Sequence, residues 1–366
     1  MSTQLKEKIF VTKSFMPPKE EYFSFVNRIY ENGQLTNQGP LLKELEQKLS
    51  EFLHVENFQY VTNGTIALQI ALKALGIEDG EIITTPFSYV ATTSSILWEK
   101  CKPVFVDIEP ENFTIDVDKI EAKITPQTRA IMPVHVFGYA CNVEKIQEIA
   151  NKYNLKVIYD AAHAFGSKFK GKSLLSYGDI STCSFHATKL YHTIEGGACV
   201  VKDNNISEKL DLIKRFGNIG EEHYCLGINA KQSEFNAAMG LANLPYIKEI
   251  IEKRQKISQL YDNELEGIVQ RPKAQEDLDY NYAYYPVLFK NETELLKVFE
   301  ALHEEGIYPR RYFYPSLNKL SYLDTHDSCP ISENICSRIA CLPLYPTLEL
   351  SVVEKICKII KATISN

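Results

Sequence analysis

AIMPVHVFGYACNVEKIQEIANKYNLKVIYDAA, residues 130–162, decides the fold. Two short apolar runs, 130–138 and 155–162, flank a segment with helical spacing, NVEKIQEIANKYN (142–154). Continuous apolar runs of this length suit strands covered on both faces. A strand, a helix and a second strand in succession form the repeating unit of a parallel sheet. The rhythm continues outward in both directions. EIITTP (81–86), KPVFVDI (102–108), DISTCSFH (179–186) and GGACVVKD (196–203) read as further strands. LLKELEQKLSEFL (41–53) places Leu41, Leu42, Leu45, Leu49, Phe52 and Leu53 on one helical stripe. TIALQIALKAL (65–75) is apolar on most sides, which predicts a well-buried helix.

This alternation lasts to about residue 240. LPYIKEIIEKRQKISQLYDNELEG (244–267) then reads as one long amphipathic helix. Two strand-like runs and two helix patterns follow. The expected fold class is therefore α/β: a large domain with a mainly parallel sheet, residues 1–243 with the N-terminal segment, then a linker helix and a small α+β C-terminal lobe, 244–366.

Composition sets limits on function. With 45% apolar and 24% charged residues, the 366-residue chain can bury a sizeable core. A net charge of −7 disfavours a general nucleic-acid binder. No apolar run approaches the roughly 18 residues that span a bilayer, and MSTQLKEKIF has no apolar signal region. A cytoplasmic protein, bound neither to membrane nor to nucleic acid, is the expectation. The nine cysteines contain no C-x-x-C pair, and no Cys/His set has zinc spacing, so no metal site is expected.

In open α/β sheets, ligands gather at the carboxyl ends of strands. Four segments at such ends carry the chemistry. Asn63-Gly64-Thr65, entering the helix, is either an ordinary N-cap or a phosphate site on free N–H groups. Tyr89, after EIIT and Thr85-Pro86-Phe87-Ser88, either stacks on a planar ring or belongs to the core. Asp160, after KVIY, is costly to bury unless paired, and a protonated heteroaromatic nitrogen would pair it; the alternative is a loop or helix cap. Lys189, in SFHATK (184–189), lies between two buried strands, where a lowered pKa allows a Schiff base with an aldehyde. Each has an ordinary structural reading alone. In this order, a phosphate turn, an aromatic, an acid and then a lysine suit one cofactor, pyridoxal 5′-phosphate.

With those residues in view, the chain resembles the sugar aminotransferases of the DegT/DnrJ/EryC1/StrS type. The resemblance covers roughly residues 15–360. It rests on QLTNQGP (34–40), VTNGTIALQIALKALGI (61–77), TTPFSYVATTSSI (84–96), IYDAAHAFGSKFKGK (158–172), SFHATK with EGGA (184–198), INAKQSEFNAAMGLANL (228–244) and CLPLYPTL (341–348). It implies the fold type I, aspartate aminotransferase-like architecture. It also implies roles. Lys189 matches the lysine that holds the cofactor and shuttles protons, and Asp160 the partner of its pyridine nitrogen. His163 matches a residue near the ring and its phenolic oxygen, and Tyr89 the stacking aromatic. Gly64, Thr65 and Ser184 match phosphate contacts, and Asn229 a contact supplied by the neighbouring subunit of a homodimer with shared active sites.

The implied reaction moves an amine from L-glutamate to a nucleotide-linked keto sugar. Phe185-His186 before the lysine resembles the C4-aminating branch, where the C3 branch more often shows Tyr-Pro. The expected conversion is dTDP-4-keto-6-deoxy-D-glucose to dTDP-4-amino-4,6-dideoxy-D-glucose. C3 amination is the alternative, and a non-enzymatic regulator on the same fold is the alternative of another class. Expected substrate contacts are His186, Phe185 and Tyr191, with Arg310 and Arg311 gripping a diphosphate and Tyr312 and Tyr314 packing on base or sugar; a solvated turn with a few core rings is the competing reading of residues 308–315. One departure stands out: Asn229-Ala230-Lys231 replaces the family's Asn-Tyr-Arg, and a lysine does not reproduce an arginine fork.

Overall fold

In the computed structural model, which describes residues 8–323 and 327–365, seven strands build one central sheet. They are β1 (Phe58–Val61), β2 (Glu81–Thr84), β3 (Lys102–Phe105), β4 (Thr128–Met132), β5 (Lys156–Asp160), β6 (Ile180–Ser184) and β7 (Gly197–Val201). The sheet order is β1-β7-β6-β5-β4-β2-β3. Only β7 runs antiparallel to its neighbours; the other pairings are parallel. The mainly parallel sheet expected from the alternation is present.

Helices cover both faces. On one side α3 (Gly64–Ala74) buries Ala67, Leu68, Ile70, Ala71 and Leu72 against Ala130, Met132, Ile158 and Ile180. On the other, α5 (Val143–Tyr153) buries Val143, Ile146, Ile149 and Ala150 against Ile83, Ile131 and Val157. Adjacent residues of β4 thus serve opposite faces, as the pleat requires. Each fully buried aliphatic side chain contributes about 1.5–3 kcal/mol of transfer free energy.

Strand β4 stops at Met132, short of the apolar run's end at 138. Phe137 (φ 55°) and Gly138 (φ 93°) turn the chain there in the left-handed region. Before the sheet lie α1 (Lys19–Asn32) and α2 (Pro40–Leu53). The start of α2 is capped from afar: the fully buried Glu234 accepts from the N–H groups of Leu41 (2.8 Å) and Leu42 (2.9 Å). A Cβ on Gly39 would sit 2.4 Å from the Glu234 carboxyl carbon, so any larger residue before Pro40 must push aside the carboxylate that caps α2.

After α4 (Ala91–Trp98), α6 (Asn204–Lys214) and α7 (Glu234–Asn243), a short 3₁₀ turn leads into α8 (Ile247–Leu265). The remaining chain pairs β8 (Tyr285–Leu288) with β9 (Ile339–Leu342) antiparallel. Around them fold α9 (Glu292–Glu304), α10 (Pro330–Arg338) and α11 (Leu350–Ile364), three helices where two were expected. Their core joins Ile257 and Tyr261 of α8 to Val287, Val298, Leu342 and Ile356. Asp107, just past β3, ties this part to the sheet by accepting from Ile331 and Ser332 N–H (both 2.9 Å) at the start of α10.

Candidate active site

A cavity of about 620 Å³ opens at the carboxyl ends of β5 and β6 and is roofed by Tyr284, Arg310, Tyr312 and Phe313 from the C-terminal part. Its phosphate-like end is the start of α3. Asn63 is the N-cap, its side chain accepting from Ile66 N–H (2.9 Å). The N–H groups of Gly64 and Thr65 have no acceptor within the helix and lie at the cavity wall. Gly64 is tight here: a Cβ would meet Ser184 Cβ at 3.0 Å. The helix can therefore close on β6 with Ser184 beside it.

Asp160 ends β5 and is 6% exposed. Its Oδ2 accepts from Thr92 Oγ1 (2.7 Å) and its Oδ1 from Ala162 N–H (3.1 Å). Burial pushes its carboxyl pKa up, and those two hydrogen bonds and the Lys189 charge oppose the shift. Asp160 lines the cavity, and two hydrogen bonds leave its carboxylate with acceptor capacity to spare.

His163 is packed among aromatic rings. Phe137 and Phe313 lie parallel to it at 6.1 and 5.7 Å, and Tyr284 is tilted at 4.7 Å. Its Nδ1 accepts from Phe137 N–H (3.1 Å), so the neutral ring carries its proton on Nε2. Burial holds its pKa well below the usual imidazole range.

Lys189 lies in the turn between β6 and β7, with its Nζ 3.4 Å from the Tyr284 hydroxyl. Burial lowers the ammonium pKa, and the Asp160 charge acts in the opposite direction. Tyr284 is held by the segment around it. Tyr280 Oη donates to Tyr284 O (3.2 Å), Asn281 Nδ2 to His163 O (2.7 Å), and the buried Arg254 to Ala283 O (3.1 Å). Sequence reasoning missed Tyr284. It sits 95 residues from Lys189, in a run of tyrosines with no distinguishing spacing.

His186 also lines the cavity, its Nε2 3.5 Å from Glu195 and its Nδ1 accepting from Thr188 N–H (3.3 Å). Tyr89 stands at the wall, 58% exposed. The Arg310 guanidinium lies 5.2 Å from the Tyr312 ring, and both face inward.

Four expected substrate contacts are elsewhere. Phe185 and Tyr191 are core residues, 0% and 1% exposed, packed on each other at 5.2 Å and on Phe165. Phe185 follows Ser184 in an extended chain and so points to the opposite face from Ser184 and His186. Arg311 likewise turns away from its neighbour Arg310: it pairs with Glu292 (2.7 Å) and donates to the Ser337 carbonyl (2.9 Å). Tyr314 lies under Arg311, with the guanidinium 3.4 Å from its ring centroid, outside the cavity. Asn229 is exposed and not among the residues lining this cavity.

Residues 18–361 match the DegT/DnrJ/EryC1/StrS aminotransferase family. The chain belongs to that family. Among its relatives is a dTDP-4-amino-4,6-dideoxy-D-glucose transaminase of Shigella dysenteriae, 42% identical over 98% of this chain and 99% of the relative. An Escherichia coli protein of the same name is 41% identical over 96% and 97%. The crystal structure of DesI in the presence of its TDP-sugar product superposes with a TM-score of 0.94 at 27% identity, covering 99% of this chain and 94% of that one. The aminotransferase thus has the fold type I architecture, and its cofactor is pyridoxal 5′-phosphate. The cavity fits that group on its own terms. It offers free helix N–H groups with a hydroxyl for an anion, a buried carboxylate with unspent acceptors for a ring N–H, and a lysine with a lowered pKa for an aldehyde.

Proposed function

We propose that the enzyme transfers an amino group from L-glutamate to C4 of a nucleotide-linked 4-keto-6-deoxyhexose, forming dTDP-4-amino-4,6-dideoxy-D-glucose. The observation that carries this reading is the near full-length identity of 42% to a transaminase named for that product. His186 and Glu195 at the cavity wall support it by offering polar groups to sugar hydroxyls. We read residues 1–243 as the cofactor-binding unit and 244–366 as the unit that closes over it, in a cytoplasmic homodimer whose partner supplies Asn229.

The bound cofactor supplies an exchangeable aldehyde and an electron-withdrawing ring. Gly64, Thr65 and Ser184 would hold its phosphate by N–H and hydroxyl donation. Asp160 would accept from the ring nitrogen and favour its protonated form. His163 would offer its Nε2–H to the phenolic oxygen and, staying neutral, add no positive charge. Tyr89 would offer an aromatic surface to the ring. Lys189 is the amine that would bind the aldehyde. As a free amine it would take a proton from the donor's carbon and deliver one to the sugar carbon, which requires the neutral form that burial favours. Arg310, the cavity's guanidinium, grips an anionic part of the substrate.

Incubating the loaded enzyme with dTDP-4-keto-6-deoxy-D-glucose and L-glutamate, then locating the new amine by NMR, tests the proposal. Nitrogen on C4 with equimolar 2-oxoglutarate is expected. Amination only of a 3-keto sugar would replace it with the C3 reading.

A further inference from the structure

Behind Asp160 stand two hydroxyl groups to which the reaction above gives no part. Thr92 Oγ1 lies 2.7 Å from Asp160 Oδ2, and Ser88 Oγ lies 2.7 Å from Thr92 Oγ1. Thr92 is fully buried; Ser88 is 3% exposed and reaches the cavity wall. The turn entering α4, closed by Thr92 N–H on Tyr89 O (3.2 Å), brings the two side chains together.

The direction of this chain follows from counting protons. An ionised carboxylate only accepts, so Thr92 must donate to Asp160. Its single proton is then spent, so Ser88 must donate to Thr92. Bonds to a charged acceptor are roughly twice as strong as neutral ones, and each bond in a chain polarises the next. Asp160 has no ion pair in hydrogen-bonding contact among the described residues, so Thr92 and Ala162 N–H, together with the more distant Lys189 charge, are what favour its charged form in place.

We propose that Ser88 and Thr92 form a one-way hydroxyl relay that positions Asp160 and holds its negative charge against the cofactor's ring nitrogen. This rests on reading Asp160 as the partner of that nitrogen. A purely structural Thr92 would fill space at the start of α4, and valine would fill it equally well.

The titratable groups around Asp160 bear on any pH test. They are Lys189 and His163 at the cavity, the thiols of Cys141 and Cys183, and His135, whose backbone N–H donates to Asp160 O. Burial keeps both imidazoles neutral and pushes both thiols up. Lys189 is therefore the neighbouring cation whose titration must be followed in parallel.

The test uses the full chain, stripped of cofactor and reloaded. Thr92→Val should weaken the cofactor Kd about tenfold, and Ser88→Ala about threefold, from the loss of charge-assisted hydrogen bonding. The double variant should be no weaker than Thr92→Val alone, because Ser88 acts only through Thr92. With cofactor labelled at its ring nitrogen, NMR should show that nitrogen losing its proton at lower pH in Thr92→Val. Thr92→Ser, which keeps the hydroxyl, should restore both readouts. An unchanged Kd and ring titration in Thr92→Val, or additive losses in the double variant, overturns the relay. If Thr92→Val melts early, Ser88→Ala and Thr92→Ser decide alone: an unaltered Kd in the first, or a loss in the second, overturns it. Asp160→Asn separates the two levels. If it binds cofactor normally, the reading of Asp160 falls; if it binds poorly while Thr92→Val is unaffected, only the relay falls.

Discussion

Two lysines lie beside the central sheet, one buried at the end of a helix and one at the cavity, and the protein treats them in opposite ways. Lys214, at the end of α6, is 1% exposed and lies 3.4 Å from both Glu46 and Asp211, with Gln59 as a further acceptor. Lys189 has no ion pair among the described residues; its hydrogen-bond partner is a neutral phenol at 3.4 Å. A buried ammonium ringed by carboxylates is a strut. One without them favours its neutral form, which can act as nucleophile and base. Burial alone therefore does not mark a reactive lysine; a place at a cavity with no carboxylate in ion-pair contact does.

The sharpest break between the two comes from removing each amine. Lys189→Ala should lower amino transfer by at least about a thousandfold, as loss of a covalent catalyst does. The fold should persist. The sign of its pH effect is fixed by the direction of its shift. Because the folded-state pKa of Lys189 lies below its ordinary value, its share of stability is present at high pH and is lost as pH falls through the lowered value. Lys189→Met should thus flatten the fall in melting temperature of the cofactor-free protein as pH drops from the ordinary lysine range to that lowered value. A steeper fall would contradict the account.

Lys214→Met should do the reverse. It leaves Glu46 and Asp211 facing each other and should cost about 3–5 kcal/mol in urea unfolding, with kcat of the folded enzyme unchanged. Burial raises the Glu46 pKa, and Lys214 opposes that rise. Without the cation, Glu46 should bind its proton still more readily. The deficit should therefore shrink as pH falls and grow as pH rises past the ordinary carboxyl range. A deficit that does not change with pH would show that the pair is not what Lys214 serves.

The smallest expected effect sharpens the environment of Lys189. Tyr284→Phe removes its phenolic partner and should lower kcat about tenfold with KM unchanged, the scale of one hydrogen bond to a reacting group. An equal loss in Lys189-independent properties, such as melting temperature, would instead make Tyr284 a packing residue.

How far the sequence revealed this arrangement depends on range. The strand–helix–strand reading of 130–162 matched β4, α5 and β5 because it uses only local periodicity. Asp160 and Ser184 at strand ends, and Lys189 in the turn just beyond one, were legible because parallel sheets present those ends to one side. Alternation, applied residue by residue, separates His186 from Phe185 and Arg310 from Arg311; grouping adjacent residues by type alone had placed all four at the substrate. Tyr284 and the Ser88–Thr92 pair were out of reach. Each depends on contacts made between distant segments or across a turn, and neither leaves a periodic trace.

The most direct test loads the full-length protein with pyridoxal 5′-phosphate, fixes the bound cofactor with borohydride and maps the modified peptide by mass spectrometry. The account predicts one modified residue, Lys189, with Lys214 untouched, and no modification in Lys189→Ala. Cofactor fixed on any other lysine, or on none, would contradict it.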